Sequence, residues 1–356
     1  CIIFILASIV LSSLFFSYIS LDFLFATRKK KNVERLTPII DELILKYLFD
    51  NETDYNPYII REDLEKELGK LNKFNTQLII DRLISLKNNF DLDSSSSKNL
   101  NNLISAAEIE KFISGKLAFS SDFEKMKGIQ ELSSLAITAS ESNIFPFTYA
   151  TNDNIRKEAR TSYMRLSKND PFKFFDESKE QLNTWDQINL LKHLMGIDSR
   201  IIPTFSKWIA YSNNESVVEF CIKMCAYFKQ KDSIPVLIEF LKTPNHLLRA
   251  EAIKALGELD AKIIEDYLIE FYTNQPENCQ IEIIRAIGKF QTGNSIDFLH
   301  HSFENAITVE TRKVAAEAIY NYGEIGRELY YALEEASESD VTLVLKHIEN
   351  PLIKFK

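Results

Sequence analysis

From Phe123 onward the apolar positions of the chain return at a fixed interval. Stepping by 31 residues, the position of Leu259 is held by Leu135, Leu166, Ile197, Phe228, Leu259 and Phe290, and after one step of 32 by Tyr322. The position of Leu256 is held by Leu132, Tyr163, Leu194, Cys225, Leu256, Ile287 and Ile319. The position of Ala252 is held by Gly128, Ala159, Leu190, Cys221, Ala252, Ile283 and Ala315. Seven copies with almost no insertions denote stacked supersecondary units. Each period predicts two helices. The first carries this pattern, as in Arg249–Leu259, and the second follows a short turn, as in Asp232–Leu241. Pro235 suits the first turn of that second helix, where its missing N–H costs nothing, and Pro203 and Pro171 stand at equivalent places. A two-helix unit of this size cannot bury its apolar stripe alone, so neighbours must stack, and small residues at the Ala252 position predict close approach. Arg249 recurs as Arg156 and Arg312, which predicts a bond within the stack or to the neighbouring unit. The pattern predicts an all-α chain, an α-solenoid of about seven two-helix repeats over 118–356. The acidic run from Glu334 to Asp340 and the helix to Lys346 form its C-terminal cap.

Upstream the pattern differs. Cys1 to Leu21 carries no charged side chain, and as a helix it spans about 31 Å, enough to cross the hydrocarbon of a bilayer. Asp22 follows, then Arg28, Lys29, Lys30 and Lys31. A cleaved leader carries its positive charge before the apolar run and ends in a small-residue cleavage site, so 1–27 is expected to be an uncleaved transmembrane anchor. The positive-inside rule sets the solenoid in the cytoplasm, at the inner membrane of a cell. Residues preceding Cys1 would bear on that orientation. A lipidated Cys1 is disfavoured because a polar tether does not follow it. Residues 28–117 read as an irregular helical adaptor. Leu36, Ile39, Ile40, Leu43, Ile44, Tyr47 and Leu48 share one helix face, Arg61–Gly69 is a short charged helix, and Leu71–Phe90 holds another apolar stripe. Asp91–Lys98, with its run of serines, reads as a turn or linker, and a further helix covers about Leu100 to Ser114.

Composition narrows the function. Lys and Arg number 42 against 51 Asp and Glu, a net charge of −9, which disfavours nucleic acid as a partner. Gly and Pro number 9 each, too few for an all-β chain of tight turns.

The run Ser233–Leu259, SIPVLIEFLKTPNHLLRAEAIKALGEL, resembles HEAT repeats of the bacterial, phycocyanobilin-lyase-like type. Their consensus has an IPxLxxLL helix, a turn, and VRxxAAxALGxLG. The resemblance covers about Phe123 to Glu349. The layout of one N-terminal span, an irregular helical region and a solenoid resembles bacterial HEAT-repeat proteins of unassigned role. Lys127–Leu132 and Trp185–Leu191 are similar to landmarks of that group. The resemblance implies a surface offered to a protein partner, and it implies fold more strongly than function.

Catalytic signatures are sparse. Cys221 and Cys225 share a helix face without metal-ligand partners and read as core. His193, His246, His300, His301 and His347 lack zinc spacing. There is no phosphate-binding glycine loop and no GxSxG elbow. The expectation is therefore a non-enzymatic scaffold without cofactor or metal, anchored in a membrane and binding a protein; the alternative is a lyase-like or other enzyme built on the same repeats. Tyr267, Phe271 and Tyr272 on one second helix, with Tyr330 and Tyr331 near the C-terminus, are candidate partner-surface residues, since tyrosine suits interfaces. Arg28 to Lys31 are expected to flank the membrane, and Trp185 and Trp208 to serve packing.

Overall fold

The computed structural model describes residues 2–49, 55–90, 94–137, 141–167, 170–196, 202–336 and 339–350, with the side chains of 2–11, 94, 339 and 340 excluded. Among these the secondary structure is helical, with no strand. The chain divides into two compact units, Cys1–Pro171 and Phe172–Lys356, so the division falls inside the stretch predicted as repeats.

Unit 1 begins with one long helix, α1 (Ile2–Phe49), that runs without a break through the predicted anchor and into the adaptor. Its second half buries Leu36, Ile40, Leu43, Ile44, Tyr47 and Leu48, the predicted stripe, against α2 (Pro57–Leu68), α3 (Lys73–Asn89) and α4 (Ser94–Ala106). Arg82 on α3 donates two hydrogen bonds to Asp41 on α1, at 2.7 and 2.8 Å. The first half of α1 presents Leu14, Phe15, Phe16, Tyr18, Phe23 and Phe25 to solvent. No helix among the described residues is long and apolar enough to cross a membrane. The predicted span up to Leu11 lies outside the residues whose side chains are described, and Cys1 lies outside altogether.

Two adaptor expectations need correction. Ser94–Ser97 is not a turn but the first turn of α4: Ser96, Leu100, Leu103 and Ile104 bury one face, and that packing overrides the weak preference of serine. Residues 91–93 lie outside the described residues. The single helix expected to Ser114 is two, α4 and α5 (Ile109–Phe119), because Glu108 adopts a left-handed conformation with φ 49°. The rest of unit 1 is α6 (Asp122–Leu135), the short α7 (Glu141–Ile144) and α8 (Asp153–Leu166); α5 packs on α6 and α6 on α8.

Unit 2 contains α9 (Thr184–Leu194), α10 (Ser206–Tyr211), α11 (Glu215–Tyr227), α12 (Ile234–Phe240), α13 (His246–Glu258) and α14 (Glu265–Tyr272). It continues through α15 (Glu277–Phe290), α16 (Ile296–Glu304), α17 (Val309–Tyr320), α18 (Gly323–Ala336) and α19 (Ser339–Glu349). The helices predicted to carry the repeat pattern are α6, α8, α9, α11, α13, α15 and α17. They begin at 122, 153, 184, 215, 246, 277 and 309, every step being 31 residues except the last, which is 32. We call these the ladder helices. In unit 2, α11, α13, α15 and α17 pack in succession, with the return helices α12, α14 and α16 between them in sequence and packed against them. Pro235 stands in the first turn of α12 as expected.

Polar contacts reinforce the repeat. Asn152, Asn183, Asn214 and Asn245, also 31 apart, cap α8, α9, α11 and α13, each side chain accepting from backbone N–H of the first turn. The arginine at the Arg249 position reaches the carbonyl six residues before it in every copy: Arg156 to Ala150, Arg249 to Thr243 and Arg312 to Ala306. It fastens the turn to the ladder helix of its own repeat.

Close approach occurs at the predicted position in the first copy, where a Cβ on Gly128 of α6 would meet Ile113 and Leu117 of α5 at 3.2 and 3.3 Å, and at a second position further along the ladder. Gly257 on α13 faces Ala286 on α15, and Gly288 on α15 faces Ala318 on α17. Ala252 itself is fully buried within the core.

Candidate functional site

The N-terminal two to three turns of α11, α13 and α15, with the start of α17, line a groove of about 630 Å3 in unit 2. Glu215, Glu219, Glu251, Glu282 and Glu310 face it with one cation, Arg285. Glu251 and Glu282, 31 apart, hold the same position on successive ladder helices, and Glu215, Glu219 and Glu310 join them from other positions. Arg285 pairs with Glu282 at 2.5 Å and lies 3.9 Å from Glu310. Lys223 pairs with Glu219 at 2.5 Å. Glu215 and Glu251 make no ion pair among the described residues. Asn245, Leu247, Asn278 and Ile281 add hydrogen-bonding and apolar surface.

Toward the other end of the ladder helices the sign reverses. A basic position recurs at the 31-residue interval as Lys192, Lys223, Lys254 and Arg285, of which Arg285 also lines the groove and Lys223 pairs with its Glu219. Glu258 bridges Lys229 and Lys289, and the hydrogen bond from Lys289, together with both positive charges, holds its carboxyl below the usual range.

The predicted aromatic surface is only partly present. Tyr267 and Phe271 on α14 stack with ring centroids 5.3 Å apart, and Tyr267 is 42% exposed. Tyr272 is half-buried and packs edge-on against Phe298 at 5.1 Å. Tyr331 on α18 is 47% exposed. Tyr330 is a correction: it is 0% exposed, and its hydroxyl donates to the carbonyl of Leu345 on α19. It is core because α19 folds back over α18 and α17. Among the described residues no ring contact joins the α14 group to the α18 group. Trp208 packs as expected, among Phe172, Phe175 and Phe205, with its indole N–H donating to Asp176 at 2.8 Å. Trp185, in contrast, is exposed on α9. Arg28 to Lys31 lie on α1 with exposed side chains.

Chemistry is held back at the cysteines. Cys221 and Cys225 are fully buried; burial pushes both thiols up, Cys225 to about 11, so neither is a ready thiolate. Cys279 is also buried, its thiol is raised, and its sulfur lies 3.2 Å from the carbonyl of His246. Among the described residues no group of three His, Cys, Asp or Glu is placed to hold a metal.

The groove residues Glu215, Glu251 and Glu282 were not singled out by sequence, because carboxylates are abundant in this chain, at 51 Asp and Glu. Charge sampled at the 31-residue interval finds Glu251 and Glu282, whereas Glu215 has no carboxylate at the equivalent position of the next helix.

Residues 202–265 match the HEAT-repeats family, a stretch that covers α10 to α13 and the turn before α14. No curated protein matches the sequence. Among solved structures, an engineered protein is similar at 14% identity, with 89% of each chain covered and a TM-score of 0.32. A chain in the complex of CpcE and CpcF of phycocyanin lyase from Nostoc sp. PCC7120 is similar at 12% identity, covering 84% of this chain and 97% of that one, with a TM-score of 0.25. Scores this low carry no argument about fold or activity. Residues 202–265 are thus similar to HEAT repeats, and the ladder helices of this helical chain keep the same 31-residue spacing on both sides of that stretch.

Proposed function

We propose that the chain is a membrane-anchored scaffold that holds a protein partner along the ladder helices of unit 2. The observation that carries the reading is the groove, to which each of four successive ladder helices brings a carboxylate: Glu215 and Glu219 from α11, Glu251 from α13, Glu282 from α15 and Glu310 from α17. Packed helices lie about 9 Å apart, and an extended peptide advances about 3.4 Å per residue. A partner segment with a basic side chain at every third position therefore meets successive carboxylates. Glu215 and Glu251, without ion pairs of their own among the described residues, are the first contacts.

The anchor is α1. Its uncharged run to Leu21, the exposed apolar side chains from Leu14 to Phe25 and the basic cluster that follows support insertion in a bacterial inner membrane with the repeats in the cytoplasm. Resistance to carbonate extraction tests this half of the proposal; release into the wash contradicts it.

Charge reversal tests the other half. A partner that copurifies with the full chain should be lost from Glu215→Lys/Glu251→Lys and kept by Lys192→Glu/Lys254→Glu. Equal retention by both variants contradicts the groove.

A further inference from the structure

Unit 1 holds a second cleft, of about 910 Å3, lined from α1, α3, α5 and α6 together with Arg61 of α2. Six cations line it, Lys29, Arg61, Lys73, Lys111, Lys116 and Lys127, against three carboxylates, Asp81, Glu108 and Glu124. The negative groups are shared. Glu108 accepts from Arg61 at 2.6 Å and lies 3.5 Å from Lys111. Glu131, buried beneath, holds Lys116 at 2.9 Å and Lys127 at 3.7 Å. Lys127 also lies 3.6 Å from Asp81, and Lys116 lies 3.9 Å from Glu124. Lys29 and Lys73 make no ion pair among the described residues. The cleft therefore keeps an excess of positive charge after its internal pairs are formed.

A second observation fixes what this charge faces. Lys29 lies on α1, four residues after Phe25, the last large exposed apolar side chain of the helix's first half. Four residues of helix advance about 6 Å. The polar layer on each side of a bilayer is about 5–8 Å deep. If α1 enters the bilayer through the stretch that ends at Phe25, Lys29 of the cleft wall stands at headgroup depth. Phe119, which also lines the cleft, is 92% exposed and adds apolar surface to it.

We propose that this cleft binds the phosphate headgroup of an anionic phospholipid; the inference rests on the membrane-anchor reading. The basic run Arg28–Lys31 gives general attraction to an anionic surface. The cleft adds Lys73 and Lys111, which are distant in sequence from that run and bring specificity for a headgroup.

The test is native mass spectrometry of the full chain released from non-ionic detergent, with equal amounts of short-chain phosphatidylglycerol and phosphatidylcholine. Phosphatidylglycerol adducts should exceed phosphatidylcholine adducts about tenfold. Lys73→Glu/Lys111→Glu, two exposed positions, should remove the excess, whereas Lys192→Glu/Lys254→Glu, with the same change in net charge, should keep it. Equal binding of the two lipids overturns the proposal, as does equal loss in both double variants. Glycerol phosphate added to the same samples separates the sources of phosphate: binding as tight as that of phosphatidylglycerol overturns the lipid assignment. Carbonate extraction distinguishes this proposal from the anchor. A chain that washes off yet keeps the lipid preference upholds the cleft and contradicts the anchor; a chain that stays without the preference does the reverse.

Discussion

Gly288 on α15 lies against Ala318 on α17 so closely that a Cβ added to the glycine would sit 2.8 Å from the alanine Cβ and 3.2 Å from its Cα. One repeat earlier, Gly257 meets Ala286 in the same way, with both distances at 3.0 Å. Two successive interfaces thus use a glycine opposite an alanine. Gly288→Ala gains about 1 kcal/mol of helix propensity but overpacks the interface at a cost of about 1–3 kcal/mol. The expected result is net destabilisation. Gly288→Ala/Ala318→Gly moves the methyl across the interface and should be more stable than the two single changes predict when added. Denaturant unfolding of the four proteins checks this, and simple additivity would refute the close-packing account.

The capping asparagines do unequal work. Asn245 accepts only from the first turn of α13. Asn214 accepts at the start of α11, and its side-chain nitrogen also donates to the carbonyls of Ser178 and Glu180 at 3.0 and 2.9 Å. Asn245→Ala should cost about 1 kcal/mol. Asn214→Ala should cost clearly more, because two carbonyls in a buried setting lose their donor. Thermal unfolding ranks the two, and an equal loss would show that the added bonds contribute nothing.

Lys116 and Glu131 form an ion pair with side chains 9% and 4% exposed, and Gln77 bonds to both. Glu131→Leu alone strands a buried ammonium and should cost about 3–5 kcal/mol, whereas Lys116→Met/Glu131→Leu should be far less destabilised. If the double variant falls as far as the single, the pair is not an isolated charge balance.

Tyr330 joins α18 to α19 through its bond to Leu345. Burial, followed by the nearby Glu349 and Glu334, pushes its phenol above the ordinary range. A raised folded-state pKa gives stability that is complete below the unfolded value, about 10, and is lost as pH climbs through the folded value. Tyr330→Phe should cost about 1 kcal/mol at pH 7. The difference from wild type should stay constant up to about pH 10 and shrink above it. A difference that widens in alkali would contradict the assignment.

The core was readable in the sequence because burial repeats. Leu132, Leu256 and Ile287 recur at one interval since each fills the same slot between ladder helices, and all three are fully buried. The Asn152–Asn245 caps repeat as regularly and were legible too, had polar positions been sampled like apolar ones. Tyr330 was not legible. Whether a tyrosine near the C-terminus faces solvent depends on whether α19 folds back, a long-range contact that local spacing does not encode. The same holds for the two clefts. Lys29, Lys73 and Lys111 are far apart in the chain and meet only through the packing of unit 1, and the Ser94 helix start was hidden because tertiary burial outweighed local preference.

The central claim is that successive ladder helices of unit 2 hold one protein partner, and site-specific photocrosslinking in cells tests it most directly. A crosslinking residue placed in turn at Glu215, Glu251 and Glu282 in the groove, and at Ile263, which is 87% exposed and outside it, samples the surface helix by helix. The account predicts one and the same protein crosslinked from all three groove positions and not from Ile263. Crosslinks confined to the chain itself, or the same yield from Ile263 as from the groove, would contradict it.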